Sequence, residues 1–109
     1  MIWDKEECLS RTEIENIQLE RLIHLVHIVY NQVPYYKNLF DQHNVKPDDL
    51  KSLADLAKLP FTTKAALRDN YPYGLFAKPL KEIVRLHASS GTTGKPIVVA
   101  YTKNDLNIW

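Results

Sequence analysis

Ser89, Ser90, Gly91, Thr92, Thr93, Gly94 and Lys95 form the run SSGTTGK, which Pro96 follows. Gly91 and Gly94 are two of only three glycines in the chain, the third being Gly74. Glycine admits positive φ and lets successive backbone N–H groups converge on one point, because no Cβ blocks a large anion. Four hydroxyls add donors at the same place, and Lys95 adds a compact positive charge suited to phosphate. Together these are the ingredients of a polyphosphate cradle. A turn of roughly two to five residues is enough to connect a hairpin, so a longer hydroxyl-rich run with clustered glycine calls for another role. The run is not a Walker loop. That motif needs four residues between its glycines and a Ser or Thr after the lysine, whereas only Thr92 and Thr93 intervene here and Pro96 follows Lys95. A strand is expected next, so no helix N-terminus is available to hold the anion. The work falls to backbone N–H groups, hydroxyls and Lys95.

Other residues could join this chemistry. Lys64 stands at the start of an expected short helix and reads equally as a phosphate partner or a solvated surface lysine. His24 and His27, three apart on one helix, could share a metal; with no third ligand evident, a structural or exposed pair is favoured. His87 precedes the glycine-rich run on a strand and could line the site or simply occupy the strand. Tyr35, Tyr36 and Phe40 read as core or dimer-interface aromatics. Cys8 is the only cysteine, which excludes an intrachain disulfide and fits a reducing cytoplasm. No neighbour of Cys8 would activate its thiol.

The elements that must position these residues follow from periodicity. From Ser10 to Val33, the residues Leu19, Leu22, Ile23, Val26, Val29, Tyr30 and Val33 recur at three- and four-residue steps, the mark of an amphipathic helix. Ser10 with Glu13, or Thr12 with Glu15, supplies a capping box, and Pro34 should end or sharply bend the helix. A second short helix carries Tyr36, Leu39 and Phe40. Leu50, Leu53, Leu56 and Leu59 fall three apart behind Asp48 and Asp49, a third helical segment that Pro60 closes. Thr62 is the expected N-cap of a helix over KAALRDN, with Pro72 as its stop. Beyond this the pattern changes. Val84, Leu86 and Ala88 alternate with Ile83, Arg85 and His87 as in a strand, PIVVAY is a second β-branched run, and Thr102 caps a final helix. Two strands and a short helix leave sheet edges and one apolar face uncovered. The chain therefore reads as the front end of something longer.

Length and charge narrow the function classes. The 109 residues amount to one ordinary domain. Fourteen Lys and Arg stand against thirteen Asp and Glu, so bulk charge favours neither nucleic acid nor an anionic membrane as a partner. The longest apolar runs fall far short of the ~20 residues needed to span a bilayer. The acidic N-terminus has no apolar signal core.

SSGTTGKP resembles the phosphate-binding signature of the adenylate-forming superfamily, which includes acyl- and aryl-CoA synthetases, luciferases and nonribosomal adenylation domains. The segments VPYYKNLF, LPFTTKAALRDNYPYGLF and RLHASSGTTGKPIVVAYTKNDL resemble the N-terminal portion of the phenylacetate–CoA ligase family, over nearly the whole chain from about Ile17 onward. Lys95 directly after Gly94 suits this aryl-CoA ligase branch. The fold implied is an α+β or α/β fragment, with a helical subdomain over 1–80 and the start of a nucleotide-binding domain over 81–109.

The resemblance implies ATP, Mg2+ and coenzyme A as co-substrates, an aryl-acetic acid as the acid substrate, and a cytoplasmic homodimer with no nucleic-acid or membrane partner. A carboxylate would attack the α-phosphate, and coenzyme A would then displace AMP. Ser89 to Lys95 would hold the β- and γ-phosphates, with Lys64 nearby. The adenine and acid pockets, the metal-coordinating acid and the mobile C-terminal lysine would lie beyond Trp109. No catalytic or metal-ligating residue is therefore expected within the chain, and no ligase activity from it alone. The alternatives are another adenylating enzyme of the same branch (a ligase for another aryl acid, or a deazaflavin-cofactor adenylyltransferase) and a non-catalytic helical interaction module.

Overall fold

A computed structural model of the chain describes residues 1–90 and 94–109. After a 3₁₀ turn over Lys5–Cys8, helix α1 runs from Arg11 to Gln32. Its start is the Ser10/Glu13 capping box. Ser10 Oγ accepts from the Glu13 N–H at 3.2 Å, and the Glu13 carboxylate accepts from the Ser10 N–H at 2.8 Å. Its end follows from Pro34. Val33 is extended, and Pro34 becomes the first residue of α2, Pro34–Gln42, where a missing N–H costs nothing. Asn44 then adopts a φ of 55°, which returns the Val45 N–H to the Phe40 carbonyl at 2.9 Å and closes α2.

The leucine-rich segment departs from the expected α-helix. It forms two 3₁₀ turns, Pro47–Asp49 and Leu53–Lys58. Leucines three apart share one face at three residues per turn, and over this stretch Leu50 is buried while Leu56 is exposed. A second correction concerns the next helix, α3, Lys64–Asp69. Its N-cap is Thr63, whose Oγ1 accepts from the Ala66 N–H at 3.2 Å, not Thr62. The Thr62 hydroxyl is engaged elsewhere, 2.8 Å from the Tyr36 hydroxyl.

A 3₁₀ turn over Leu80–Glu82 leads into β1, Ile83–Ser89, which pairs antiparallel with β2, Ile97–Thr102. The register runs from Ile83 opposite Thr102 to Ser89 opposite Ile97, with a bulge between Ile83 and Arg85. Thr102 caps α4, Lys103–Ile108, through Asp105, as its sequence implies.

Val26, Phe40 and Leu50 form the core, with Leu22, Ile23, Val29, Tyr30, Tyr36 and Leu59 packed around them. Among the described residues every buried apolar side chain lies between Val26 and Ala66, and none lies in the hairpin. The hairpin's apolar face is uncovered as expected: Val84 is 57% exposed and Leu86 48%.

Candidate functional site

The glycine-rich run sits where the two strands join. Ser89 closes the ladder opposite Ile97, and Ser90 leads away from it. On the return side Gly94 has a φ of 105°, a conformation that L side chains rarely adopt. A Cβ there would meet nothing within 4 Å, so the backbone turn and not crowding is what requires glycine. Ser89, Ser90, Gly94 and Lys95 are all exposed. Lys95 precedes Pro96 and a strand, not a helix, so a phosphate here would meet hydroxyls, N–H groups and an ammonium group. Gly91, Thr92 and Thr93 lie outside the described residues.

Lys64 is the first residue of α3 and is exposed. Two contacts hold the chain just before it. The Thr63 cap sets the start of α3, and the Tyr36–Thr62 hydrogen bond ties the preceding residue to α2. Since α3 packs against β2, the strand leaving the glycine-rich run and the helix carrying Lys64 are neighbours.

His87 takes part in an aromatic stack. Its ring lies 5.0 Å from Tyr101 and 5.7 Å from Trp109, and Tyr101 and Trp109 stack at 5.4 Å with an interplanar angle of 17°. Such contacts favour rigid packing, and here they fasten α4 to the outer face of the hairpin. His27 Nε2 lies 3.6 Å from Asp48 Oδ1, linking α1 to the first 3₁₀ turn. Among the described residues no group of three His, Cys, Asp or Glu is arranged to hold a metal ion.

A polar cluster on the helical frame escapes the sequence reading. The Tyr30 hydroxyl donates to Asp41 at 2.7 Å and Lys37 donates at 2.8 Å, while Lys46 reaches both Asp41 and the Tyr30 hydroxyl. The hydrogen bond from Lys37, then those from Lys46 and Tyr30, hold the Asp41 carboxyl well below the usual carboxylate range. The Asp41 hydrogen bond, then that of Tyr30, pushes Lys46 up to about 12. Only the Lys37–Asp41 pair carries a sequence signal, the four-residue helical spacing.

A scan against protein-family models finds no match. Curated proteins do match over almost the whole chain. The phenylacetate-coenzyme A ligase of Aromatoleum evansii is 57% identical over 103 residues, 94% of this chain and 23% of that protein. Those of Pseudomonas putida and Escherichia coli K12 are 56% and 50% identical over 106 residues, 97% of this chain and 24% of each protein. The chain thus spans about a quarter of the length of the curated relatives it matches. Among solved structures, a 2-hydroxyisobutyryl-CoA ligase in complex with 2-HIB-AMP and CoA, in its thioesterification state, superimposes with a TM-score of 0.81 at 29% identity. That match covers 89% of this chain and 22% of the ligase.

Proposed function

We propose, for a chain that belongs by sequence to the phenylacetate–CoA ligase family and spans about a quarter of its members' length, that it supplies the phosphate grip of an AMP-forming aryl-acid–CoA ligase. In the first step a carboxylate oxygen of the acid attacks the α-phosphorus of ATP, and pyrophosphate departs with the electron pair of the broken P–O bond. In the second, the sulfur of coenzyme A attacks the acyl carbon, and AMP leaves. Ser89, Ser90, Gly91, Thr92, Thr93, Gly94 and Lys95 hold the β- and γ-phosphates, orient the bond that breaks and neutralise charge on the departing pyrophosphate. Lys64 adds a second positive charge from α3. Magnesium would enter as a partner of the ATP, since the described residues present no group of three His, Cys, Asp or Glu to bind it.

The observation that carries this reading is an exposed strand–loop–strand turn with Gly94 at positive φ beside Lys95, in a chain 50% or more identical to four such ligases. The helical residues 1–80 form the frame, and 81–109 begin the nucleotide-binding part. Phenylacetate as the acid substrate follows the names of the relatives; a homodimer and a cytoplasmic setting come with the family resemblance alone. The test exchanges this chain for the matched residues of the Escherichia coli ligase. In that full-length chimera Lys95→Ala should lower kcat/KM for ATP by about 10-fold or more, the worth of one charged hydrogen bond. An unchanged value would remove Lys95 from nucleotide handling.

A further inference from the structure

Lys64 opens α3 and is exposed. Lys37, Lys46 and Lys58 each pair with an aspartate, but Lys64 meets no carboxylate among the described residues. Residues 60–63 before it form neither helix nor strand, and Phe61 is 92% exposed. A segment with few buried contacts and no ladder of its own has little local stability, so the place of Lys64 must be set from elsewhere.

The structure supplies a chain of contacts that does this. Val26, Phe40 and Leu50 are buried together. The Tyr36 ring meets Phe40 at 6.1 Å and Tyr35 edge-on at 5.3 Å, contacts that limit its rotation. Its hydroxyl then lies 2.8 Å from Thr62 Oγ1, two residues before Lys64. Thr63 supplies the cap of α3, so the Thr62 hydroxyl is not needed to start the helix. Tyr36, Leu67 of α3 and Val98 of β2 border one groove, and β2 begins at Ile97, two residues after Lys95. The helix carrying Lys64 and the strand leaving the glycine-rich run thus meet beside Tyr36.

We propose that Tyr36 is a positioning residue for Lys64. Through Thr62 it holds the N-terminal end of α3 so that the Lys64 ammonium and the glycine-rich run close on the same polyphosphate. A lysine stem is flexible and loses rotamer freedom when its ammonium pairs; a fixed backbone keeps the loss from extending to the segment behind it. The proposal rests on the reading that Lys64 and Ser89 to Lys95 share the phosphates of ATP, and it adds the residue that sets their separation.

The test titrates the 109-residue chain, labelled with ¹³C and ¹⁵N, with tripolyphosphate. In the parent, the Lys64 side-chain CεH₂ signal should shift with the same Kd as the Gly94 and Lys95 amides, while other exposed lysines such as Lys5 and Lys51 stay still. Tyr36→Phe and Thr62→Val should each largely abolish the Lys64 response, keep those of Gly94 and Lys95, and raise Kd about 2- to 5-fold, the worth of one exposed ion pair. Thr62→Ser, which keeps the hydroxyl, should restore the Lys64 response. In a Lys64→Ala background, Tyr36→Phe should raise Kd no further. A Lys64 signal that responds equally in the parent and in Tyr36→Phe overturns the proposal. So does a Tyr36→Phe effect that persists without Lys64, which would be general damage to the frame. Shifts at Gly94 and Lys95 with Lys64 silent in the parent would sink this proposal alone. Silence at all three would sink the phosphate-grip reading and the proposal with it.

Discussion

The Tyr36 hydroxyl lies 2.8 Å from Thr62 Oγ1, joining α2 to the residue just before the Thr63 cap and Lys64. The two residues are 26 positions apart, so the bond fixes where α3 sits on the helical frame. Tyr36→Phe should cost about 0.5–1.5 kcal/mol in urea unfolding, the net worth of one neutral hydrogen bond. Thr62→Val should cost a similar amount, and the double variant less than their sum. Additive losses would mean that the two hydroxyls do not act as a pair.

The core puts a larger cost on one residue. Phe40 is 4% exposed, contacts the Tyr30 and Tyr36 rings and lies in the buried cluster with Val26 and Leu50. Phe40→Ala should destabilise the chain by about 3–5 kcal/mol, a large share of the stability of a domain this size. Circular dichroism in urea reads the shift. A loss under about 1 kcal/mol would place the true core elsewhere.

Acid should weaken the frame. Asp41 and Asp55 both titrate below their ordinary range, Asp41 chiefly through its hydrogen bond from Lys37 and Asp55 chiefly through that from Lys58. A carboxylate depressed on folding contributes stability above its unfolded value of about 3.9, and that contribution fades as pH falls toward the folded value. Unfolding free energy should therefore drop on acidification below about pH 4, with a shallower drop in Asp41→Asn. Lys46 acts in the opposite sense. Its contribution is complete below about 10.4 and is lost as pH rises through about 12. An Asp41→Asn profile that superimposes on the parent's below pH 4 would contradict the pairing.

Much of the frame is legible in the residues, because its signals are local. The Ser10/Glu13 box, Pro34 and the Thr102 cap act within a turn of their own positions, and each marks the boundary of an element. The leucines three apart signal a helical stretch, but a three-residue step suits a 3₁₀ turn better than an α-helix, and the structure takes the tighter form. Thr62 and Thr63 are chemically equivalent caps in the sequence. Only the distant Tyr36 hydroxyl separates their roles. The Tyr30–Asp41–Lys46 cluster has no sequence signature, since it forms when α1, α2 and the following loop meet. The glycine-rich run stands out by its residue types, and the structure adds the positive φ of Gly94 within it. His87, two residues before that run in sequence, packs on Tyr101 and Trp109.

Gly94 separates backbone strain from steric exclusion. With open space around it and a φ of 105°, Gly94→Ala should fit sterically but cost about 1–3 kcal/mol of backbone strain or force the turn into another shape. In the chimeric ligase this should raise KM for ATP severalfold and leave the KM for coenzyme A unchanged. Equal changes in both would point to general damage.

On the proposed reading, the isolated 109-residue chain, which spans about a quarter of the length of its ligase relatives, should not catalyse acid-dependent ATP–pyrophosphate exchange. Exchange at a rate comparable to an intact ligase would contradict this reading.

If Ser89 to Lys95 grip polyphosphate, titrating the ¹⁵N-labelled chain with tripolyphosphate should give saturable backbone-amide shifts centred on Ser89, Ser90, Gly94 and Lys95, strongly weakened in Lys95→Ala. Shifts spread over the surface lysines, or unaffected by that substitution, would contradict it.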